Sequence, residues 1–403
     1  MNVFLLLALA VGLILLMLRK HIPLGPAMLA GGIVLWLFRS LDFTMFAQAM
    51  LEMLQKTRTY DLIGALYLVM CLEIELRTSG TLSGMVTALH KLFSGNKMTM
   101  ATMPMFLGLL PSLGGARFSA PIVEEAAKNL GLSPAHKAAI NFWFRHPCEF
   151  CNPIISGMIM SCAIAQVPYA RFVQHTWWMT IVCFVVGWLI LLTPVKETTP
   201  AQDTSSEKAS ANYYDILLAL SPIIITFFFV VYFNLLASVA MGIAVIILFP
   251  VLKLLGRYVS LKEVILDAID KKMFINVLCI LYFIQLLTDT GVLDELVAAF
   301  RAAPFPMPVI IAALSFTIGA LTGMSQAHTA MVMPIVAAVA PGNLDLAATA
   351  MIFGVGGQML TPTHMCLVVT LDYFNSDLFK TLKPILYIQV IVLTIYSVVA
   401  YFR

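Results

Sequence analysis

The chain is poor in charge. Only 11% of its 403 residues are Asp, Glu, Lys or Arg, against 61% hydrophobic, where soluble domains carry about 25% charged residues. That shortage excludes a large soluble catalytic domain. Net charge is equally small, +3 at neutral pH, and no Lys/Arg block offers a nucleic acid a footprint. No Walker A sequence appears, so ATP-driven transport by this chain alone is not expected, and no HExxH run suggests a metalloprotease. Cysteine is also scarce. The seven (Cys71, Cys148, Cys151, Cys162, Cys183, Cys279 and Cys366) lie mostly in apolar segments, where the thiol acts as a small hydrophobe and no disulfide framework is indicated. Residues 2 to 18 have no basic residue before them and Arg19-Lys20-His21 after them, the reverse of a secretory signal, so they are read as a retained membrane helix.

What remains is apolar sequence in long continuous runs. A bilayer core of about 30 Å needs about 20 apolar residues per helix, and these runs are too continuous for the alternation of an outer-membrane barrel. The expected fold is an all-α polytopic membrane protein. Crossings are expected near 2–18, 22–38, 59–76, 134–165 and 169–193, then 213–233, 235–252, 273–288, 345–375 and 381–402. Between the two sets lies the one long polar stretch, Lys196 to Asn212.

The two sets repeat one another. Gly80-Thr81-Leu82 precedes Gly291-Val292-Leu293 by 211 positions, Ser112 and Pro121 precede Ser325 and Pro334 by 213, and Asn152-Pro153 precedes Thr361-Pro362 by 209. Each half also holds an apolar segment interrupted at its middle, by Pro111-Ser112-Leu113-Gly114-Gly115 in one and Gly323-Met324-Ser325-Gln326-Ala327-His328 in the other. Such segments read as re-entrant hairpins, because irregular backbone at membrane depth survives only inside protein or beside a water-filled cavity. A short amphipathic stretch precedes each hairpin, Leu82 to Phe93 and Leu293 to Arg301. The expected organisation is a first repeat over 1–195 (hairpin about 98–130, broken helix about 134–165), a cytoplasmic linker over 196–212, and a second repeat over 213–403 (hairpin about 307–340, broken helix about 345–375). Five crossings per repeat is odd, so the repeats are expected to be inverted.

The placement of basic residues orients this arrangement. Sixteen fall on the linker side, among them Arg19, Lys20, Arg77, Lys128, Lys137, Lys253, Lys271 and Lys272, against Arg39, Lys56, Arg58, Arg171, Arg301 and Arg403 on the other. By the positive-inside rule both chain ends are external and the linker is cytoplasmic. The expected location is the cytoplasmic (inner) membrane of a prokaryote.

Two hairpin tips and two interrupted helices, paired by an inverted repeat, are what a secondary transporter uses to build a midplane site. Half-helix N-termini present unpaired N–H groups and a partial positive charge to an anion. The candidate substrate or ion ligands are Ser112, Gly114 and Gly115 at the first tip, Asn152 in the first break, Ser325, Gln326 and Thr329 at the second tip, and Thr361 and Thr363 in the second break. Ionisable groups inside membrane segments are functional candidates by default: Arg117, Arg145, His146, Glu149, His328 and His364. Either arginine suits a substrate carboxylate, and either His328 or His364 suits proton coupling. His146-Pro147-Cys148-Glu149-Phe150-Cys151 carries metal-ligand residue types, but Pro147 makes a local coordination sphere awkward and no second Cys/His cluster completes a structural site, so the expectation is no metal and no cofactor beyond a coupling H⁺ or Na⁺.

Ser325-Gln326-Ala327-His328-Thr329-Ala330 with Pro334-Ile335 resembles the Ser-Asn-Thr-Ala tip and downstream proline of the ion transporter superfamily, which includes dicarboxylate, citrate, gluconate and TRAP-type carriers. Gly356-Gly357-Gln358-Met359-Leu360-Thr361-Pro362-Thr363-His364 resembles its glycine-rich break. Within that superfamily, Leu109-Leu110-Pro111-Ser112, Phe144-Arg145-His146 and Thr361 to Leu367 look most like an uncharacterised prokaryotic family of ten-helix membrane proteins, over nearly the whole chain. The resemblance implies an elevator-like carrier, with a transport domain moving against a scaffold, in a homodimer. Gln326 stands where the tip asparagine is usual, and Gly114-Gly115 where Ser-Asn-Thr is common, so H⁺ is preferred to Na⁺. The resulting expectation is an ion-coupled symporter of a small organic anion. A channel and an intramembrane serine hydrolase are the alternatives; the latter is disfavoured because Gly323-Met324-Ser325-Gln326-Ala327 lacks the final glycine of G-x-S-x-G, and Ser325 has a counterpart in Ser112.

Overall fold

A computed structural model describes residues 2–92, 96–109, 115–196, 214–233 and 235–403. Among them there is no strand. The first half runs α1 (Val3–Arg19), α2 (Leu24–Arg39), α3 (Phe43–Gln55), α4 (Thr57–Thr78), α5 (Thr81–Leu92), α6 (Asn96–Leu109), α7 (Gly115–Ala127), α8 (Pro134–Phe144), a 3-10 turn (Pro147–Phe150), α9 (Ser156–Ala165) and α10 (Tyr169–Gly187), which continues into a π turn (Trp188–Leu192). The second half runs α11 (Tyr214–Phe233), α12 (Ala237–Leu254), α13 (Leu261–Leu266), α14 (Lys271–Asp289), α15 (Val292–Ala302), α16 (Met307–Thr322), α17 (Ser325–Val339), α18 (Leu344–Gln358), α19 (Met365–Phe374) and α20 (Leu378–Tyr401).

Element by element the halves keep one order: two helices, a short helix, a longer helix with an amphipathic one after it, a helical hairpin, an interrupted helix, a last helix. The backbone repeats in detail at one point. Gly80 and Gly291, matched by the sequence repeat, both adopt left-handed φ, at 72° and 70°, a conformation that glycine reaches without steric cost. Each turns the chain sharply into the amphipathic helix, and the run Leu261–Asp289 meets α15 at a 68° bend.

Local chemistry sets the helix starts. Asn2, Asp42, Ser133, Ser260, Asp270, Asn343 and Asp377 each accept a backbone N–H of the first turn of their helix, satisfying donors that would otherwise be orphaned. Four spans are long and apolar enough to cross a bilayer: Tyr169–Leu192, α11, α12 and α20. The helices α1, α2, α9, α16, α17 and α19 are apolar but shorter. Leu217, Ile224, Phe228, Ile246, Leu386 and Val390 are exposed along the long spans, as lipid-facing side chains are. The protein is an all-helical integral membrane protein.

Packing divides the chain into two units. The first comprises residues 1–67, 159–172 and 269–361. In it α2 lies along α14: the Gly25 N–H donates to Asn276 Oδ1 at 2.9 Å, and a side chain at Gly25 would strike the Asn276 backbone. Trp36, Phe43, Phe46 and Tyr282 form an aromatic cluster that docks α3 over this pair, and the Tyr282 hydroxyl donates to the Phe46 carbonyl at 2.6 Å. Glycines bring α16 and α18 to backbone contact, Gly319 against the Gly354 carbonyl and Gly357 against the Phe316 carbonyl, the small-residue route to close helix approach in a membrane.

The second unit comprises residues 68–158, 173–268 and 362–403. Here α11 packs on α12 and α5, and Asp215 of α11 pairs with Arg257. Gly84 of α5 is small because the Asp215 carboxylate fills the space a Cβ would take. The Trp143 indole donates to the Cys183 carbonyl at 3.0 Å, its ring lying where a side chain at Gly187 would fall. Each unit therefore holds one hairpin and helices from both halves. Its packing pairs correspond under the repeat, α1 with α15 in the first and α11 with α5 in the second.

Candidate functional site

The second unit brings the two helix breaks together. Ser133 caps α8 and Pro134 occupies its first turn. The helix then buries everything from Ala138 to Phe144 and ends at Arg145. Pro147 has no N–H to continue it, and a single 3-10 turn follows. His146 is held at this end by its Nδ1, 2.7 Å from the Phe142 carbonyl. A carbonyl only accepts, so Nδ1 carries the proton and Nε2 presents a lone pair. Facing it at 3.0 Å is Nε2 of His364, the residue that opens α19 after the second break. The Phe142 ring meets both imidazoles edge-on, at 4.9 and 5.3 Å between centroids. Cys366 brings its sulfur to the pair, and the two imidazole nitrogens and this sulfur all lie within 4.8 Å of one another. Glu149 Oε1 is 3.9 Å from His146 Nε2, and the Arg145 guanidinium lies near the Cys366 thiol. A hydrogen bond from Asn141 to Thr370, 3.1 Å long, ties α8 to α19 beside the cluster.

Asn152 is fully buried in the same break. Its amide nitrogen donates to the Leu109 carbonyl at 2.6 Å, and its oxygen accepts from the Ile154 N–H at 3.1 Å. The side chain thus fastens the break to the end of the first hairpin arm. Gly108 presses that arm onto the Arg145 carbonyl, with no room for a Cβ. Ser112 and Gly114 lie outside the described residues; Gly115 begins α7, and the Arg117 side chain lies outside the described part. Thr363 is exposed.

The first unit holds the second hairpin tip. Gly323, at φ 66°, ends α16, and after Met324 the chain re-enters helix at Ser325. Ser325 and Gln326 are half-buried and Thr329 is buried. The Thr329 hydroxyl lies 3.4 Å from that of Ser161 on α9. His328 is completely buried, and neither ring nitrogen has a hydrogen-bond partner among the described residues. Its imidazole fills the space beside Gly354, where a side chain would overlap the ring. On α16 the buried Ser315 hydroxyl is likewise without a partner among the described residues. Thr361, at the end of this unit, is buried.

Of the sequence candidates, the structure thus gathers Arg145, His146, Glu149 and His364 into one cluster and places Ser325, Gln326, His328 and Thr329 together at one tip. Two residues outside that candidate set join them: Cys366, two positions beyond His364, and Ser161, a hydroxyl in an apolar helix. Elsewhere, Glu75 of α4 is fully buried with both carboxyl oxygens unpartnered among the described residues; the rule for intramembrane ionisable residues applies to it as it does to Glu149.

A family model matches residues 2–402. The chain belongs to the DUF401 family. That family is described as proteins of unknown function. No curated protein matches the sequence. Among solved structures, the YdaH transporter of Alcanivorax borkumensis is similar, with a TM-score of 0.57, 13% sequence identity and 87% of each chain covered. At that identity the similarity speaks for a shared fold.

Proposed function

We propose that this DUF401 protein is a secondary active transporter of a small organic anion of the carboxylate class. The observation that carries the reading is the doubled interruption: in each half a helical hairpin is followed by a helix broken at buried polar groups, in the same order. A one-site enzyme has no need of that duplication. The similar fold of a protein described as a transporter supports the same reading. Membership of the ion transporter superfamily, the inverted relation of the repeats, elevator-like movement, a homodimer, and external chain ends with a cytoplasmic 196–212 linker belong to this proposal.

The anion is proposed to bind at the second tip, where the first N–H groups of α17 and the side chains of Ser325, Gln326 and Thr329 offer donors, together with Thr361. Coupling to H⁺ rather than Na⁺ rests on His328, a buried imidazole with no partner among the described residues. His364, engaged with His146, is left out of this role.

The test is uptake into proteoliposomes loaded with the purified protein. A small carboxylate should accumulate under an inward proton gradient, and His328→Gln should abolish accumulation while leaving the protein folded. Uptake driven by a Na⁺ gradient and indifferent to pH would refute the coupling. Failure of any organic anion to move would refute the function.

A further inference from the structure

We infer that His146, His364 and Cys366 form a binding site for a tetrahedral late first-row transition-metal ion of the zinc(II) class, with Glu149 as the fourth protein ligand. The donor set is the first argument. Two imidazole nitrogens, a thiol sulfur and a nearby carboxylate are the ligand types such ions select, and three of these atoms converge within 4.8 Å of one another inside one packing unit.

Orientation is the second argument. A metal-binding histidine commonly gives its other ring N–H to a backbone carbonyl, which fixes the tautomer and aims the lone pair. His146 does this: Nδ1 meets the Phe142 carbonyl at 2.7 Å, leaving Nε2 as the ligand atom. Metal–nitrogen bonds of about 2.0–2.1 Å at tetrahedral angles separate two ligand nitrogens by about 3.3 Å. The observed 3.0 Å between the Nε2 atoms of His146 and His364 requires them to part by only a few tenths of an ångström. Glu149 Oε1 is 3.9 Å from His146 Nε2 but stands outside the group of atoms within 4.8 Å of one another, so its side chain must swing toward His364 and Cys366 to close the shell.

Rigidity is the third. His146 stands between a buried helix end and Pro147, and His364 and Cys366 lie at the start of α19. The Asn141–Thr370 hydrogen bond holds α8 to α19 alongside, and Phe142 covers both rings. Binding replaces the thiol proton of Cys366 by a metal–sulfur bond and releases that proton to solvent, while the proton shared between the two Nε2 atoms passes to His364 Nδ1, so that both Nε2 lone pairs face the ion. The ion would staple the break of the first half to the break of the second. The site is independent of the proposed anion ligands at the second tip.

The test uses full-length, tag-free protein in nanodiscs after chelator treatment, with Zn²⁺ and Co²⁺ as probes. One ion should bind per chain and raise the thermal unfolding temperature, and Co²⁺ should give a tetrahedral visible spectrum with a thiolate-to-cobalt charge-transfer band. Cys366→Ser should abolish that band. His146→Gln or His364→Gln should weaken Zn²⁺ binding by more than about 100-fold, beyond the 10–100-fold that losses outside the ligand shell produce. Wild-type protein that takes up no stoichiometric Zn²⁺ or Co²⁺ would overturn the inference. So would binding unchanged by all three substitutions. The wild-type measurement decides even if a variant fails to fold.

Discussion

Gly354→Ala is a one-carbon probe of how tightly His328 is held. An ideal Cβ on Gly354 falls onto the His328 imidazole, against Nδ1, Cε1 and Cγ, and the ring is fully buried. A planar ring with no space behind it cannot yield as a flexible chain end would. Overpacking of this kind costs about 1–3 kcal/mol, offset by up to about 1 kcal/mol from alanine's better helix propensity. His328→Ala opens the space the methyl group needs, so the double variant should lose most of the clash and show a coupling energy of about 1–3 kcal/mol. Two controls bracket the result. Gly357→Ala drives a Cβ into the Phe316 carbonyl, which is backbone, so His328→Ala should not rescue it. Gly12→Ala meets nothing within 4 Å and should stabilise by about 0.5–1 kcal/mol. Equilibrium unfolding in mixed detergent micelles measures all six variants. Additivity of Gly354→Ala and His328→Ala within about 0.5 kcal/mol would show that the imidazole does not occupy the space beside Gly354.

Glu75→Leu should stabilise the fold by about 1–3 kcal/mol, because the carboxyl it removes is fully buried with both oxygens unpartnered among the described residues; a loss of stability in the same unfolding assay would mean the carboxyl has a stabilising partner. Asp215→Asn should destabilise by about 3 kcal/mol, since it leaves the Arg257 guanidinium, whose side chain is only 17% exposed, without its charge partner. Replacing both residues with apolar ones of similar volume should recover most of that loss, and failure to recover it would assign the effect to packing.

Much of the architecture is written in local chemistry. Pro147 and Pro362 mark the two breaks, and Gly323 ends the arm before the second tip. The matched Gly80 and Gly291 mark the turns into α5 and α15. Each acts through its own backbone, so each is readable in place. The short helices α3 and α13 were not legible, because thirteen and six residues between longer apolar runs give no periodic signal that stands apart from a loop. Nor was the grouping of helices. The sequence divides at the polar 196–212 stretch, whereas packing interleaves the halves, with α1 and α2 in one unit and α11 and α12 in the other. The cluster at the breaks shows the same gap at the scale of side chains. His146-Pro147-Cys148-Glu149-Phe150-Cys151 looks like an incomplete metal motif because its remaining ligands, His364 and Cys366, stand 218 and more positions away.

A repeat copies backbone geometry and leaves side-chain chemistry free to diverge, and the two units show how far that has gone. In the second, the outer arm of the first hairpin packs on α19; in the first, the corresponding arm meets α9 through Thr329 and Ser161. The frames correspond, but one presents hydroxyls beside a solitary imidazole and the other presents two imidazoles, a thiol, a carboxylate and a guanidinium. A carrier needs opposite demands met at once: ligands that let a substrate and a proton come and go, and a frame that does not come apart as they do. Hydroxyls and a lone imidazole bind weakly and reversibly. A histidine pair with a thiol and a carboxylate, fixed between two proline-marked breaks, suits the holding role. On the proposed reading, exchange belongs to the second tip and cohesion to the paired breaks.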